Sequence, residues 1–347
     1  MKAKMRVMTE RPLNAETPPE SLKSWITPNA VFFDRNQGAI PAGRISLRRW
    51  RLTVEGEVET PLSLTFDRIL RLPRAIAADT LECSGNGRSL LSEKTPGNPW
   101  TVGGVGNAVW DGVWLRDVLK EAGLKPAASH VSFEGFDTPL GSAGVKFIRS
   151  IPLDKALSST LLAYEMNGEP LPLKHGFPLR ALALGWTGAN CVKWLSRIVV
   201  MERPYEGFFM DNVYRVFQKG QDPRTGEPVT GLKLKAIITR PGPAATLAAG
   251  EIVILGAAWA GEADVERVEV STDGGTLWRP AAFIGPHESY AWRQWQYLWE
   301  ANKAGGYTLM ARAVDAEGRR QPMQAEINAL GYGNNGVQEH TVRVTIA

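Results

Sequence analysis

The sequence predicts an α+β domain with mixed sheets, followed by an all-β domain of the immunoglobulin-like sandwich type. Two patterns predict this order. Short apolar runs broken by glycine and proline, with one clear amphipathic helix, fill residues 44–201, whereas residues 234–346 hold strand after strand. At 347 residues and 44% hydrophobic composition the chain is long enough for two domains, which we place at residues 1–225 and 226–347.

The first domain combines short strands with short helices. Apolar runs bounded by turn residues predict strands, and apolar residues three and four positions apart predict helices. The expected strands are residues 49–58, 181–184 and 198–201, and the expected helices are residues 114–122, 63–72 and 152–157. A polar segment with glycine and proline, residues 219–231, predicts a linker to the second domain.

The second domain is predicted from alternating apolar positions separated by turn residues. The expected strands are residues 234–238, 251–258, 265–271, 307–313 and 341–346. Asp273-Gly274-Gly275 is typical of a hairpin turn between strands. Strands of this length and spacing are typical of an immunoglobulin-like sandwich of roughly 100 residues.

Charge and hydropathy argue against nucleic acid and membrane partners. Forty Lys and Arg against 36 Asp and Glu leave a net charge of +4, which is small and scattered along the chain. No apolar run approaches the about 20 residues that a membrane-spanning helix needs. Residues 1–19 contain no apolar stretch typical of a signal peptide, so we expect a cytoplasmic protein; an exported protein whose signal had been removed would show the same sequence.

The cysteine content restricts the metal chemistry. Cys83 and Cys191 lie in different local sequences, which favours neither a disulfide scaffold nor a zinc cluster. No Cys-x-x-Cys-His motif is present, so we expect no c-type haem on this chain.

The first chemistry-bearing segment surrounds Cys83 in the run Leu81-Glu82-Cys83-Ser84-Gly85-Asn86-Gly87-Arg88-Ser89. Backbone amides of a glycine-rich turn and a nearby arginine stabilise a thiolate. One thiolate can anchor a soft or high-valent metal whose other ligands come from a cofactor. A buried structural cysteine is the alternative interpretation of the same pattern.

Three further segments place polar side chains among glycines or aromatic residues. Residues 167–193 contain His175, Arg180 and Lys193, a set of groups able to bind phosphate or a pterin. Arg35 lies in a loop beside two phenylalanines, and Tyr214 follows another aromatic pair. Taken singly, each is also consistent with a surface charge, a satisfied core histidine or a packed tyrosine.

Together these segments resemble the sulfite oxidase family, and they do so in order over nearly the whole chain. The run from Glu82 to Arg88 looks like the family's cysteine loop. Residues 164–172, 175–180 and 188–195, which read Tyr-Glu-Met-Asn-Gly-Glu-Pro-Leu-Pro, His-Gly-Phe-Pro-Leu-Arg and Gly-Ala-Asn-Cys-Val-Lys-Trp-Leu, resemble its cofactor-binding segment. Residues 32–41 are similar to its N-terminal Arg-Asn-His loop, and residues 207–214 to the stretch that carries its active-site tyrosine.

The resemblance implies a molybdenum–molybdopterin cofactor with Cys83 as the one protein ligand to the metal. It places the substrate pocket at Arg35, Arg88, Trp100 and Tyr214 around Cys83. The cofactor-binding positions that it implies are Phe33, Arg35, Asn36, Gln37, Cys83, Asp137, His175, Arg180, Cys191, Val192 and Lys193. Of these, the Cys191 thiol itself is expected to be structural.

The implied reaction is oxidation of sulfite to sulfate by oxygen-atom transfer, with water as the oxygen source. The second domain resembles the family's molybdenum-cofactor dimerisation domain and implies a homodimer. No cytochrome b5 segment precedes the first domain, so we expect no haem and an external electron acceptor, either oxygen or a separate partner such as a cytochrome.

Two departures from the family pattern keep other functions open. Gln37 stands where the family usually has histidine, and Asn335 stands in the region where many members carry an arginine. Gln37 cannot hold a proton charge near neutral pH. The alternatives are therefore a family member acting on another small oxo-substrate or sulfur compound, a reductase, or a non-catalytic relative that has lost the metal; the molybdenum content separates the last from the others.

Overall fold

The computed structural model describes residues 4–43, 45–140 and 144–347. A mixed five-stranded sheet forms one layer of the first half of the chain. In sheet order its strands are Leu62–Leu64, Leu52–Gly56, Leu195–Met201, His130–Gly135 and Ile148–Pro152. The central pair, Leu52–Gly56 with Leu195–Met201, is parallel, and its other neighbours pair antiparallel. The predicted strands at 49–58 and 198–201 are confirmed with shifted ends.

A second, antiparallel sheet carries the residues of the candidate site. Its strands are Glu169–Pro170, Thr160–Met166, Val105–Trp114 and Arg74–Glu82, with Arg180–Ala183 also paired to Thr160–Met166. The strand Arg74–Glu82 ends immediately before Cys83, and Arg180 opens the strand that was predicted at 181–184. A small hairpin of Arg6–Glu10 and Leu13–Glu16 lies beside this half.

The predicted helices are confirmed at two of three places. Leu115–Ala122 buries Leu115, Val118, Leu119 and Ala122 on one face, which is the apolar spacing that predicted it. Leu153–Ser159 is the second. The helix predicted at 63–72 is wrong for most of its length, because Leu62–Leu64 is a strand and the Thr65 side chain accepts from the Arg68 amide to cap a single turn, Phe66–Ile69. The remaining helical segments are Phe208–Asp211 and the 3-10 turns Pro19–Ser21, Arg88–Leu90, Leu173–His175, Gly188–Asn190, Pro223–Thr225 and Gln338–His340.

The second half is a two-sheet sandwich, as predicted. One sheet contains Lys235–Arg240, Gly250–Trp259, Arg293–Ala301 and Ala282–Ile284. The other contains Thr246–Leu247, Val342–Ile346, Gly305–Asp315, Val265–Ser271 and Arg279–Pro280. The turn at Asp273 joins two antiparallel strands, which confirms the hairpin. Apolar side chains from both sheets, including Trp295 and Trp299, form its core.

The segment predicted as a linker is partly ordered into a hairpin. Glu227–Pro228 pairs antiparallel with Arg215–Val216, and the 3-10 turn Pro223–Thr225 lies between them. Proline and glycine in this segment form turns rather than a free connection. The boundary at residues 225/226 stays a prediction.

The two halves share a buried interface. Its apolar cluster consists of Leu22, Val105, Leu232, Ile237, Ala257, Trp259 and Trp292. The Trp292 amide donates to the Thr80 hydroxyl at 2.7 Å, and the Thr80 amide donates to the Tyr290 carbonyl at 2.9 Å. The sandwich is therefore fixed against the strand that leads into Cys83. Within the part of the chain that the structure describes, no helix combines the length and apolar character needed to cross a membrane.

Asp79 makes the stability of the fold depend on pH. Its side chain is fully buried and accepts from the Gly185 amide at 2.9 Å. Burial raises the pKa of Asp79 to about 7, although the Gly185 amide, Lys155 and Arg180 oppose the shift. Because the folded pKa lies above the unfolded value of about 3.9, the protonated carboxyl stabilises the fold below pH about 4, and this contribution is lost as the pH rises to about 7.

We therefore expect Asp79→Asn to gain stability relative to the parent as the pH rises. The asparagine keeps an acceptor for Gly185 and carries no charge, so its advantage should grow by about 2–4 kcal/mol between pH 4 and pH 8. Urea denaturation of both proteins at pH 4 and pH 8 measures the difference. A free-energy difference that is the same at both pH values would contradict the expectation.

Candidate active site

The Cys83 loop is held by hydrogen bonds on both sides of the thiol. The Cys83 amide donates to the Gly104 carbonyl and its carbonyl accepts from the Asn86 amide, both at 2.8 Å. The Asn86 carboxamide bridges this loop to the next strand by accepting from the Gly104 amide at 2.9 Å. The side chain of Cys83 is 8% exposed, so a rigid loop presents the thiol at the floor of a cleft.

Glycines let Arg88 fold back over this loop. A side chain at Gly85 would collide with the Arg88 guanidinium, and Gly87 has a φ of +82°, which favours glycine. Arg88 donates through Nε to the Leu330 carbonyl at 3.0 Å and through Nη1 to the Asn98 carbonyl at 2.8 Å. These two bonds fix the plane of the guanidinium beside Cys83.

Most of the predicted cofactor-binding side chains line one cavity, which we call the cofactor cavity. It contains Phe33, Arg35, Asn36, Gln37, Cys83, Asp137, His175, Arg180, Cys191 and Lys193 from the predicted set. Phe32, Leu81, Ser84, Phe147, Trp194 and Tyr214 complete its walls, together with residues 188 and 189. The structure thus brings together side chains from several separate segments, the first at residue 32 and the last at residue 214.

Arg180 is the most deeply buried cation of the cofactor cavity. It is 3% exposed, donates through Nη1 to the His175 carbonyl at 2.9 Å, and lies over the Trp110 ring at 4.9 Å. Its Nε has no hydrogen-bond partner among the described residues. Burial lowers the pKa of Arg180 to about 10. A buried guanidinium with an unsatisfied N–H is a ready donor to an anionic ligand.

The pKa values of Lys193 and His175 reflect the positive charge that is concentrated in this cavity. Burial, followed by repulsion from Arg180, lowers the pKa of Lys193 to about 7, although Asp34 and Asp137 oppose this. Burial and the neighbouring cations hold the pKa of His175 well below its ordinary value, so the ring is neutral. Because like charges crowd this cavity, an anion bound there would relieve the repulsion.

These residues fit a cofactor that carries a phosphate and binds a metal through sulfur. The cations and the unsatisfied N–H of Arg180 suit the phosphate, and the Cys83 thiol on the same wall suits a soft or high-valent metal. Across the described residues, no group of three or more His, Cys, Asp or Glu side chains could hold a metal ion. A metal here would therefore take most of its ligands from the cofactor.

A second cleft also opens onto Cys83, and we call it the anion cleft. Its walls include Arg35, Gln37, Arg88 and Tyr214. Burial alone would lower the pKa of Arg35, but the Tyr214 phenol and the Cys83 thiol raise it, which keeps its guanidinium charged. Two arginines and a phenol beside the thiol form a site for a small oxyanion.

Tyr214 is held in a strained backbone conformation. Its φ of 38° lies in the left-handed region that bulky residues rarely adopt. Gln37 Nε2 donates to the Tyr214 hydroxyl oxygen at 2.6 Å, and the Arg149 guanidinium lies over its ring at 5.1 Å. Strain of this kind concentrates at functional sites, where the surrounding contacts keep a side chain in place.

The structure does not bring every predicted site residue to these clefts. Trp100 is fully buried and packs edge-on against Phe33, behind the wall of the cofactor cavity. Val192 belongs to the apolar core, and its amide and carbonyl pair with Ala181. Asn335 donates to the Leu234 carbonyl at 3.2 Å, so its side chain is turned toward the sandwich and away from the anion cleft.

Sequence reasoning missed several residues that contact the site. Tyr332 stacks on Tyr214 with ring centroids 5.6 Å apart, and the Arg149 guanidinium lies over the Tyr214 ring at 5.1 Å. Asp34, 1% exposed, accepts from Lys174 at 2.9 Å and lies 3.7 Å from His175 Nδ1, where it helps to orient the ring. Tyr332 lies three residues before Asn335, in the region where the sequence analysis considered Asn335 alone.

A buried ion pair from the sandwich holds Glu82, the residue before Cys83. Glu82 Oε1 accepts from Lys235 Nζ at 2.5 Å and from the Asn86 carboxamide at 3.0 Å, and Oε2 accepts from the Trp259 indole at 3.0 Å. The Lys235 and Glu82 side chains are 1% and 6% exposed. The sandwich therefore contacts the cysteine loop through a fully desolvated charge pair.

We expect Lys235→Met to be strongly destabilising because it leaves the Glu82 carboxylate buried without its counter-charge, at a cost of about 3–5 kcal/mol. Lys155→Met is a matched control. Lys155 also bridges the halves, donating to Glu262 at 2.7 Å, and the Trp186 indole donates to the same carboxylate at 3.1 Å. Glu262 is 54% exposed, so water can solvate it after the change.

Urea denaturation and molybdenum content per chain measure both variants. Lys235→Met should lose more stability than Lys155→Met, and it alone should lose molybdenum, because its partner adjoins Cys83. Equal losses of stability and metal in the two variants would show that the Lys235 pair has no special connection to the cysteine loop.

Comparison with known proteins agrees with this geometry. Residues 37–209 match the family described as oxidoreductase molybdopterin binding domain, and residues 227–346 match the Mo-co oxidoreductase dimerisation domain. The sulfite oxidase of Gallus gallus is 37% identical over 92% of this chain and 73% of its own length. The mitochondrial sulfite oxidase of Rattus norvegicus is 39% identical over 84% of this chain, which spans 56% of that protein.

A solved structure shows the same architecture. The sulfane dehydrogenase SoxCD from Paracoccus pantotrophus superposes with a TM-score of 0.86 at 29% identity, covering 99% of this chain and 91% of that one. The two-domain fold, the molybdopterin-binding match and the identity to sulfite oxidases agree along the chain. The chain therefore belongs to the sulfite oxidase family of molybdopterin-dependent oxidoreductases.

Proposed function

We propose that this enzyme oxidises sulfite to sulfate at the anion cleft. The observation that carries the proposal is the arrangement of Arg35, Arg88 and Tyr214 around the same cleft as the Cys83 thiol. A small oxyanion needs cations and a hydrogen-bond donor that converge on one place beside the redox centre. The identity to sulfite oxidases supports sulfite as that anion.

Arg35 and Arg88 would bind and orient the substrate. The guanidinium of Arg88 is fixed by the Leu330 and Asn98 carbonyls, and Arg35 donates to the Asn14 carboxamide at 3.2 Å. Because both cations are held before the substrate arrives, little reorganisation accompanies binding. They also offset the repulsion between an oxyanion and the Cys83 thiolate.

Tyr214 would donate a hydrogen bond to the bound oxyanion. Its hydroxyl oxygen accepts from Gln37, so the phenol hydrogen is left to point into the cleft. Gln37 acts here as a neutral donor, whereas a histidine in its place could also carry a proton. The molybdenum cofactor, when bound against Cys83, supplies the two-electron oxidation that these side chains only position.

Steady-state oxidation of sulfite tests the proposal, with protein from a molybdopterin-producing host and ferricyanide as the artificial acceptor. Thiosulfate as an alternative donor, and nitrate with a reduced dye, test the other small substrates in parallel. Saturable turnover of sulfite with kcat/KM well above that for the other compounds supports the proposal. A molybdenum-loaded protein that ignores sulfite contradicts it, and activity on thiosulfate or nitrate would then identify the replacement.

We also propose that the enzyme is a homodimer that passes electrons to an external acceptor. The match of residues 227–346 to a dimerisation domain supports the dimer. Sedimentation equilibrium at micromolar concentration measures it, since the 38.0 kDa chain should sediment at twice its mass. A monomer at all concentrations would contradict the dimer, and oxygen uptake during turnover distinguishes oxygen from a protein acceptor such as a cytochrome.

A further inference from the structure

A loop from the second half of the chain, residues 328–334, is fastened to the Cys83 loop. The Gly333 amide donates to the Ser84 carbonyl and the Asn334 carboxamide donates to the Gly87 carbonyl, both at 2.8 Å. Arg88 donates to the Leu330 carbonyl at 3.0 Å. These three bonds join the loop to the residues that directly follow Cys83, so its side chains have fixed positions relative to the thiol.

Tyr332 is the side chain that this loop places in the site. Asn328 holds it from both directions, since the Tyr332 amide donates to the Asn328 carboxamide at 3.0 Å and its carbonyl accepts from the same group at 2.8 Å. The ring lies 5.6 Å from that of Tyr214 with an interplanar angle of 21°, and the Arg88 guanidinium lies over it at 5.4 Å. With 9% of its surface exposed, Tyr332 has little freedom to move.

Tyr332 separates two clefts that both reach Cys83. One is the anion cleft. The other lies between the halves of the chain and is lined by Glu82, Thr187, Lys233, Gln324 and Asn335 among others; we call it the interdomain cleft. Among the described residues, Cys83 and Tyr332 are the two that belong to the walls of both clefts. The Tyr332 ring is therefore a partition beside the thiol.

We propose that Tyr332 is a specificity-determining residue that restricts the enzyme to compact oxyanions entering through the anion cleft. The proposal rests on the proposed function in one respect, which is that the anion cleft is the substrate's entrance. With the ring in place, a sulfur oxyanion that carries a bulky organic group has no room to extend past Cys83. Without it, the two clefts join and such a group can extend into the interdomain cleft.

Sulfite and benzenesulfinate test this selection, because both undergo the same balanced reaction. Each gains one oxygen from water and releases two electrons and two protons, giving sulfate or benzenesulfonate. We expect Tyr332→Ala to raise the ratio of kcat/KM for benzenesulfinate to that for sulfite by about tenfold or more. Tyr332→Phe keeps the stacked ring and should leave the ratio within about twofold of the parent.

Tyr307→Ala is the control for loss of an aromatic ring in the sandwich. Tyr307 packs against Trp299 at 4.8 Å, far along the fold from the two clefts, and its removal should leave the ratio unchanged. If Tyr332 only stabilised the fold, Tyr332→Ala would lower the molybdenum content and would lower kcat/KM for both substrates by the same factor. An unchanged ratio in molybdenum-loaded Tyr332→Ala would overturn the proposal.

Product binding provides a second test of the role of Tyr332, and this test does not depend on turnover. Isothermal titration of the loaded proteins with sulfate and with benzenesulfonate gives the two dissociation constants, and Tyr332→Ala should favour benzenesulfonate over sulfate by about the same factor. A parent protein that binds sulfate but does not oxidise sulfite would contradict the proposed sulfite oxidation. The role of Tyr332 as a partition would still be tested by the two dissociation constants. Equal affinity ratios in parent and Tyr332→Ala would overturn the partition itself.

Discussion

Cys83→Ser should reduce turnover by at least about a thousandfold, equivalent to about 4 kcal/mol of transition-state stabilisation. Serine is a poor substitute because its hydroxyl is neither soft nor ionised near neutral pH, whereas a thiolate is a strong ligand for a high-valent metal. Arg180 and Lys193, which we propose bind the pterin phosphate, are unaffected by this change, so the variant should still retain pterin. Pterin fluorescence after denaturation and steady-state kinetics measure the two quantities on the same preparation.

Cys191→Ser is the matched control, since Cys191 is 5% exposed and lines the same cavity. Burial raises the pKa of its thiol to about 12, so it stays protonated and is a poor metal ligand. We expect this variant to keep far more activity than Cys83→Ser. If the Cys191 variant lost turnover as completely as the Cys83 variant, the assignment of Cys83 as the single protein ligand would be wrong.

Arg180→Met should lower the bound cofactor by about tenfold or more, because the variant removes the most buried cation of the cofactor cavity, at a cost typical of a charge-assisted hydrogen bond. Arg180→Lys keeps the charge but loses the planar fork, and we expect it to retain an intermediate amount. Molybdenum and pterin per chain, after gel filtration, measure the loss.

Arg149→Met controls for loss of a buried guanidinium. Arg149 is 1% exposed, and burial lowers the pKa of its guanidinium to about 10, as it does for Arg180. Arg149 itself is not among the residues that line the cofactor cavity; it donates to the Asn190 carboxamide at 3.0 Å and lies over the Tyr214 ring, which is a wall residue. It should therefore lose stability without a comparable loss of cofactor. Equal cofactor loss in Arg149→Met and Arg180→Met would indicate general unfolding.

The parts of the site that could be predicted from sequence are those carried by contiguous, glycine-rich segments. Cys83, His175, Arg180 and Lys193 lie in such segments, and the structure places all four on the cofactor cavity. Local sequence indicates them because a turn that lets backbone approach a ligand needs glycine at defined positions, as Gly87 shows with its φ of +82°. Their roles in binding remain predictions.

Side chains whose place depends on tertiary packing could not be predicted in the same way. Tyr332 reaches Tyr214 because bonds from Gly333 and Asn334 fasten its loop to residues about 250 positions earlier in the chain. Trp100, which the family resemblance placed at the substrate pocket, is fully buried in the core. Nothing in the local pattern of either residue distinguishes a cleft wall from a core position.

The fold shows the same division between local and tertiary signals. Leu115–Ala122 has an unambiguous helical face, so its prediction is confirmed. Residues 62–69 hold apolar side chains at spacings compatible with either a strand or a helix, and pairing of Leu62–Leu64 with Leu52–Gly56 decides the outcome. Short apolar runs are ambiguous until a partner strand is known.

X-ray absorption at the molybdenum edge tests the central claim, that Cys83 binds the metal, more directly than any rate. The loaded parent protein and loaded Cys83→Ser are compared at the same pH and oxidation state. We expect one fewer molybdenum–sulfur bond per metal in the variant, with the sulfur bonds from the cofactor unchanged. An identical number of molybdenum–sulfur bonds in the two proteins would contradict it.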